Sequence, residues 1–143
     1  MYDNILGTDI RSIDNKYRVV IPKFAGAKPG EKLVLILKKD YLEIRELSAV
    51  ISELKKIVSN LENTTNVELI NFYQYRKDEI TSCIGNVVTP DKQGRIILGK
   101  EISMRYNFGS EVKTEGIMDG LRIWNSTKFN EYQENIMNKK GRK

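Results

Sequence analysis

The sequence contains no histidine, and with it go the usual general base at neutral pH and the commonest metal ligand. Cys83 is its only cysteine, so no intramolecular disulfide forms and no cysteine cluster holds a metal; the ordinary reading of Cys83 is a small, half-buried side chain. Long apolar runs are absent too. The longest, Leu33-Val34-Leu35-Ile36-Leu37, is far short of the roughly 20 residues that a membrane-spanning helix needs. No glycine-rich phosphate loop or nucleophile elbow occurs, and the acids are scattered among lysines. These absences leave no enzyme active site, no expected cofactor and no small-molecule substrate. The start of the chain, Met1-Tyr2-Asp3-Asn4-Ile5-Leu6, carries acid where a secretory signal carries base. The expected location is the cytoplasm, with no membrane partner.

What remains is ordinary in amount and unusual in arrangement. With 143 residues, 40% of them hydrophobic and 30% charged, the chain suits one compact domain or two small units sharing a core. Twenty-four Lys and Arg against 19 Asp and Glu give a net charge of +5, a mild attraction to polyanions. Where those charges sit matters more than their sum.

Internal self-similarity organises the sequence. Asp14-Asn15-Lys16-Tyr17-Arg18-Val19-Val20-Ile21 aligns with Asp91-Lys92-Gln93-Gly94-Arg95-Ile96-Ile97-Leu98 at an offset of 91 − 14 = 77. Each copy is an acid, three residues, an arginine and three aliphatics. Leu42-Glu43-Ile44-Arg45 then aligns with Leu121-Arg122-Ile123-Trp124 at an offset of 121 − 42 = 79, and at that offset Val50, Ile57 and Val58 fall on Phe129, Ile136 and Met137.

Alternating and β-branched stretches predict four strands per unit: 8–13, 17–21, 32–37 and 41–46 in the first, 86–89, 94–98, 110–117 and 120–124 in the second. Lys39-Asp40 and Asp119-Gly120 are the expected hairpin turns. Apolar residues at helical spacing behind Ser48 predict a helix over 49–61. Thr65-x-x-Glu68 has the form of a capping box for a second helix near 66–78, with Val67, Ile70 and Tyr73 on one face. A third helix carries Phe129, Tyr132 and Ile136, and a basic tail follows. The division is repeat one at 6–48, a helical connector at 49–83, repeat two at 84–127, and a C-terminal helix with basic tail at 128–143.

Base gathers round the duplicated segments. Arg11, Lys16, Arg18 and Lys23 surround the first, and Lys92, Arg95, Lys100 and Arg105 the second. Arginine makes forked hydrogen bonds to phosphate or to guanine, and lysine acts as a mobile point charge. Asp14 and Asp91 cannot favour phosphate; a side-chain carboxylate at such a position accepts local backbone N–H groups and sets the shape of a turn. The competing reading is that each Asp merely pairs with its Arg at the surface. Duplication with flanking base on both occasions favours DNA.

The segment Asp91-Lys-Gln-Gly-Arg-Ile-Ile-Leu98, preceded by a strand and followed by Trp124 at the end of the last strand, resembles the second repeat of MraZ proteins, and Arg18-Val-Val-Ile-Pro22 resembles the AbrB pattern more generally. The resemblance spans about 8–138. It implies an α+β fold of two intertwined SpoVT/AbrB-like β-rich repeats, a swapped-hairpin, pseudo-twofold barrel with flanking α-helices. It further implies ring-shaped homo-oligomers on repeated promoter sites of double-stranded DNA, repression of the division and cell wall gene cluster, and a nucleoid-associated location. Carried over by position, the DNA contacts fall on Arg18 and Arg95, with Lys16, Lys92, Arg11 and Lys23 as helpers and Asp14, Asp91 and Gly94 shaping the loops. Three departures stand out: Tyr17 replaces the usual glycine that Gly94 keeps, Leu98-Gly99 replaces Ile-Pro, and Pro22 to Pro29 is broken by glycine and proline where a short helix is usual. Two other readings stay open at this level, an AbrB-like regulator of another process such as sporulation or a toxin operon, and a structural assembly module without a DNA role.

Overall fold

Leu33 to Leu37 is aliphatic at every position because the strand it forms is covered on both faces. In the computed structural model, which describes residues 7–21 and 30–141, Leu33 and Leu35 enter one apolar cluster while Val34 and Ile36 enter another. The described elements are β1 (Thr8–Ser12), β2 (Arg18–Val20), β3 (Leu33–Leu37), β4 (Leu42–Glu46), α1 (Leu47–Glu62), α2 (Val67–Cys83), β5 (Ile84–Val88), β6 (Arg95–Ile97), α3 (Lys100–Arg105), β7 (Glu111–Ile117), β8 (Gly120–Trp124) and α4 (Ser126–Gly141). The link at 22–29, Lys23 within it, and the last residues of the tail lie outside the described residues.

The fold is α+β, with two antiparallel sheets and four helices among the described residues. Six strands run in the order β1-β7-β8-β4-β3-β5, and β2 pairs with β6 in a separate ribbon. The first strand of each unit pairs with the third strand of the other, β1 with β7 and β5 with β3. Read inward from either edge, the order is therefore first strand, then third and fourth of the opposite unit. The central contact brings repeat-equivalent residues face to face, with Glu43 opposite Arg122 between β4 and β8. Val19 lies opposite Ile96 in the ribbon in the same way.

The ribbon covers one face of the large sheet. Val19, Ile21, Ile96 and Leu98 pack on Leu35, Leu42, Ile44, Val112, Leu121 and Ile123. Each fully buried side chain of this size contributes about 1.5–3 kcal/mol. On the other face α1 and α2 seal Val34 and Ile36 through Val50, Ile57 and Ile80, and α4 sets Phe129 against Trp124. Cys83 is half-buried at the edge of the α1–α2 cluster.

Local chemistry differs from expectation at three points. Ser48 is the second residue of α1 rather than its cap; Glu46 precedes the helix without a side-chain cap, and the Ser48 hydroxyl donates to Glu31 Oε1 at 3.2 Å. Asn66, not Thr65, caps α2, its Oδ1 accepting from the N–H groups of Glu68 and Leu69 at 3.0 and 3.2 Å. That helix runs on to Cys83, past the expected 78, and Val67 is 68% exposed rather than sharing a buried face with Tyr73. The β7–β8 turn is Met118-Asp119, because Gly120 already pairs with Ile117 and Arg45 as the first residue of β8. Glycine is required there by close approach: a Cβ would collide with the Ile44 carbonyl oxygen.

The repeat also hides a substitution of kind. Arg45 and Trp124 occupy equivalent positions. Arg45 is held by Glu53 at 2.8 Å and Asp119 at 2.9 Å, and Glu53 also binds Arg76 of α2 at 2.6 Å. Trp124 instead stacks on Tyr132 with ring centroids 4.8 Å apart. One half is clasped by ions where the other is clasped by rings.

Candidate nucleic-acid interface

The spacing of acid and arginine is explained by a single carboxylate doing three things. Asp14 Oδ1 accepts from the backbone N–H of Lys16 and of Arg18, both at 2.9 Å, and Oδ2 accepts from Arg18 Nε at 2.7 Å. The second loop repeats this: Asp91 Oδ1 accepts from Gln93 and Arg95 N–H at 2.9 Å, and Oδ2 from Arg95 Nε at 2.8 Å. The backbone bonds match as well, with Asp14 N–H to Arg18 O at 3.0 Å and Asp91 N–H to Arg95 O at 2.9 Å. The backbone N–H of each arginine holds both carboxyls below the usual aspartate value against desolvation, the next largest influence, with the guanidinium and the N–H of Lys16 or Gln93 adding to the lowering.

Tyr17 and Gly94 both take the left-handed conformation, at φ 60° and 78°. The turn thus keeps its shape without glycine, at a strain of about 1 kcal/mol for a residue bearing a Cβ. This residue is also where the loops couple. Leu98 N–H donates to Tyr17 O at 2.9 Å and Ile21 N–H to Gly94 O at 3.1 Å, so each loop receives the strand leaving the other.

Strand alternation then settles which way the ribbon's side chains point. Val19 and Ile96 are buried at 1% and 0% exposure. Arg18, Val20, Arg95 and Ile97 therefore share the outer face, with Arg18 opposite Ile97 and Arg95 opposite Val20. The two arginines are diagonal neighbours, roughly 7–8 Å apart along the backbone, and Val20 and Ile97 are solvent-exposed between them. Only Nε of each guanidinium is bonded among the described residues. The Asp–Arg pair and a free donor edge coexist, because a guanidinium has five N–H donors and the aspartate engages one.

Of the other expected residues, Lys16 and Lys92 are exposed on the loops but are not counterparts, since Lys16 stands third in its loop and Lys92 second. Arg11 lies on β1, half-buried, with Nε 3.2 Å from Asp9. Lys100 and Arg105 are exposed on α3, and the segment ending that helix leans on the first loop rather than the second: Ser103 and Phe108 line a hollow of about 330 Å³ with Asp14 and Tyr17. Sequence reasoning missed Val20 and Ile97 as surface groups. Their signal was present in the alternation, where an outward Arg implies an outward residue two places on.

Among the described residues, no helix is long and apolar enough to cross a membrane, and no group of His, Cys, Asp or Glu is placed to hold a metal ion. No family model matches the chain. In sequence the chain is similar to the transcriptional regulator MraZ of Mycoplasmopsis pulmonis (strain UAB CTIP), 25% identical over 138 residues covering 95% of this chain and 88% of the relative. It is likewise similar to MraZ of Clostridium tetani (strain Massachusetts / E88), 25% identical over 133 residues covering 90% and 87%. Both relatives are transcriptional regulators, not enzymes.

Proposed function

We propose that this chain is a MraZ-type, sequence-specific DNA-binding transcription regulator that reads duplex DNA with the outer face of the β2–β6 ribbon. The observation that carries this reading is the paired presentation of Arg18 and Arg95 by two equivalent loops, with Val20 and Ile97 between them. A two-stranded ribbon fits the major groove, arginine forks onto guanine O6 and N7, and aliphatic side chains suit the thymine methyl. Lys16 and Lys92 add phosphate contacts, with Arg11 and Lys23 as the further helpers that the sequence assigns. Asp14, Asp91 and Gly94 shape the loops.

The strand order that reads alike from both edges, and the exchange of first strands between units, support two intertwined SpoVT/AbrB-like repeats, at 6–48 and 84–127, related as in a swapped-hairpin, pseudo-twofold barrel. The helical connector spans 49–83, and the C-terminal helix and tail 128–143. Similarity to two MraZ transcriptional regulators supports transcription regulation, and the role proposed is repression of the division and cell wall gene cluster by a cytoplasmic, nucleoid-associated oligomer on repeated promoter sites. Selection of bound genomic fragments by the purified protein at near-physiological salt tests DNA binding and target together. Enrichment of a repeated site upstream of its own gene is expected; recovery of random fragments rejects sequence-specific regulation.

A further inference from the structure

Between aspartate and arginine the two loops differ at every position, Asn15, Lys16 and Tyr17 against Lys92, Gln93 and Gly94. Beyond the arginine they agree in kind. Val19, Ile21, Ile96 and Leu98 are aliphatic because they build the core. Val20 and Ile97, counterparts at the same offset as the arginines, lack that reason: they are 41% and 59% exposed and belong to neither apolar cluster among the described residues. Strand propensity asks only for β-branching, which threonine supplies with a hydroxyl for the water. One exposed aliphatic needs no explanation. Two at equivalent places, set between two arginines on one face, point to an apolar partner outside the chain.

Arg18 and Arg95 begin antiparallel strands, so they stand at opposite ends of the ribbon, and each is the cross-strand neighbour of the other copy's aliphatic: Arg18 of Ile97, Arg95 of Val20. Such neighbours have Cβ atoms about 4.5–5.5 Å apart. The clamp of Asp14 or Asp91 on Nε leaves both Nη groups of the guanidinium for the fork onto guanine O6 and N7. Beside that fork stands a side chain with no hydrogen-bonding group and a stiff χ1, which presents its methyls with little rotamer freedom to lose. The apolar feature of a base pair in the major groove is the C5 methyl of thymine. Cytosine lacks this group and gains it when methylated at C5. A contact made by valine or isoleucine alone is blind to whether O4 or N4 lies next to the methyl.

We propose that Val20 and Ile97 are specificity-determining residues that read C5 methyl groups, so that each end of the ribbon recognises a guanine beside a 5-methylpyrimidine, and binding rises when a cytosine at that place is methylated. The inference rests on the DNA reading above and names what the apolar part of that face recognises. Removing one methyl from water is worth about fourfold in affinity.

Titration of full-length wild type and of Val20→Ala/Ile97→Ala with synthetic duplexes tests it. The parent duplex is the site that the genomic selection returns, and each of its thymines is replaced in turn by uracil, which removes only the methyl. A uracil-sensitive position is then made cytosine or 5-methylcytosine, a second pair that differs only by that group. Wild type is expected to lose about fourfold with uracil at one or two positions, and to bind 5-methylcytosine about fourfold more tightly than cytosine there. The alanine variant is expected to bind the thymine duplex as weakly as wild type binds the uracil one, and to show neither difference. Both residues are exposed, so the variant is expected to keep the wild-type circular dichroism spectrum; if it does not, the single changes take its place, each expected to abolish one sensitive position. Wild-type binding indifferent to uracil at every position, cytosine and 5-methylcytosine bound equally, or an alanine variant as sensitive as wild type overturns the inference. If Arg18→Ala/Arg95→Ala then still loses binding, the DNA reading stands without it; a wild type that binds no duplex fells both.

Discussion

The loops at Asp14–Arg18 and Asp91–Arg95 reach the same shape from different residues. Both clasp two backbone N–H groups and one guanidinium with a single carboxylate. One does so with tyrosine and the other with glycine at the left-handed position. The hydrogen-bond pattern is the invariant, and the glycine is only the easiest way to satisfy it. A carboxylate bound three times, plus a carbonyl taken by the opposite strand, holds Tyr17 in a conformation it would otherwise leave.

Equivalence of the loops is most directly broken at the arginines. Replacing Arg18 and Arg95 together with alanine should remove roughly 2–6 kcal/mol of specific binding, about thirtyfold or more, read by titrating a promoter duplex. Each single change should take about half. An Arg95→Ala protein that loses everything while Arg18→Ala loses nothing would show that only the second loop reads DNA. Thermal stability should change little, since each arginine's ion pair is with a surface carboxylate.

Asp14→Ala and Asp91→Ala should each lower both Tm and DNA affinity by loosening a turn. Because both carboxyls are held below the ordinary value of 3.8 when folded, the unfolded chain binds more protons in that range. Their stabilisation is therefore complete above about pH 4–5 and is lost as pH falls through the depressed value. The Tm gap between wild type and either variant should be constant near neutrality and close in acid; a gap that persists at low pH would show that the charge is not what holds the turn.

Strain gives a smaller effect. Gly94→Ala should cost about 1 kcal/mol, because a Cβ there meets nothing nearer than Ile21 O at 3.7 Å and only φ opposes it. Tyr17→Gly should be more stable than Tyr17→Ala by about the same amount. Equal stability of those two proteins in chemical denaturation would place Tyr17 outside the left-handed region. The smallest change is at the lysines: Lys16→Ala and Lys92→Ala should each weaken binding to all sequences alike and reduce the slope of log K against log salt by about 1.

The strands were legible because period-2 alternation and β-branched runs reflect burial on one face, and the repeat placed the strands of both units in the same order. Helix ends were less so. Ser48 and Thr65 have the chemistry of caps, but the ends were set by where β4 runs directly into α1 and by Asn66 reaching two N–H groups. Asp119-Gly120 reads as a turn, yet the glycine serves the backbone of a neighbouring strand. Lys100 and Arg105 follow the second loop in sequence, while the chain just after them folds against the first.

By itself the sequence determined the duplicated unit, the acid and arginine that shape each loop, and the apolar faces that build the core, since all of these are local spacings of a few residues. The partnerships between units were decided by the tertiary structure alone. Which first strand pairs with which third strand, that both arginines share one face of a ribbon, and that a second helix packs over only one half of the sheet depend on contacts between different elements rather than on local spacing. The two loops are equal in shape for a local reason, and they lie side by side for a global one.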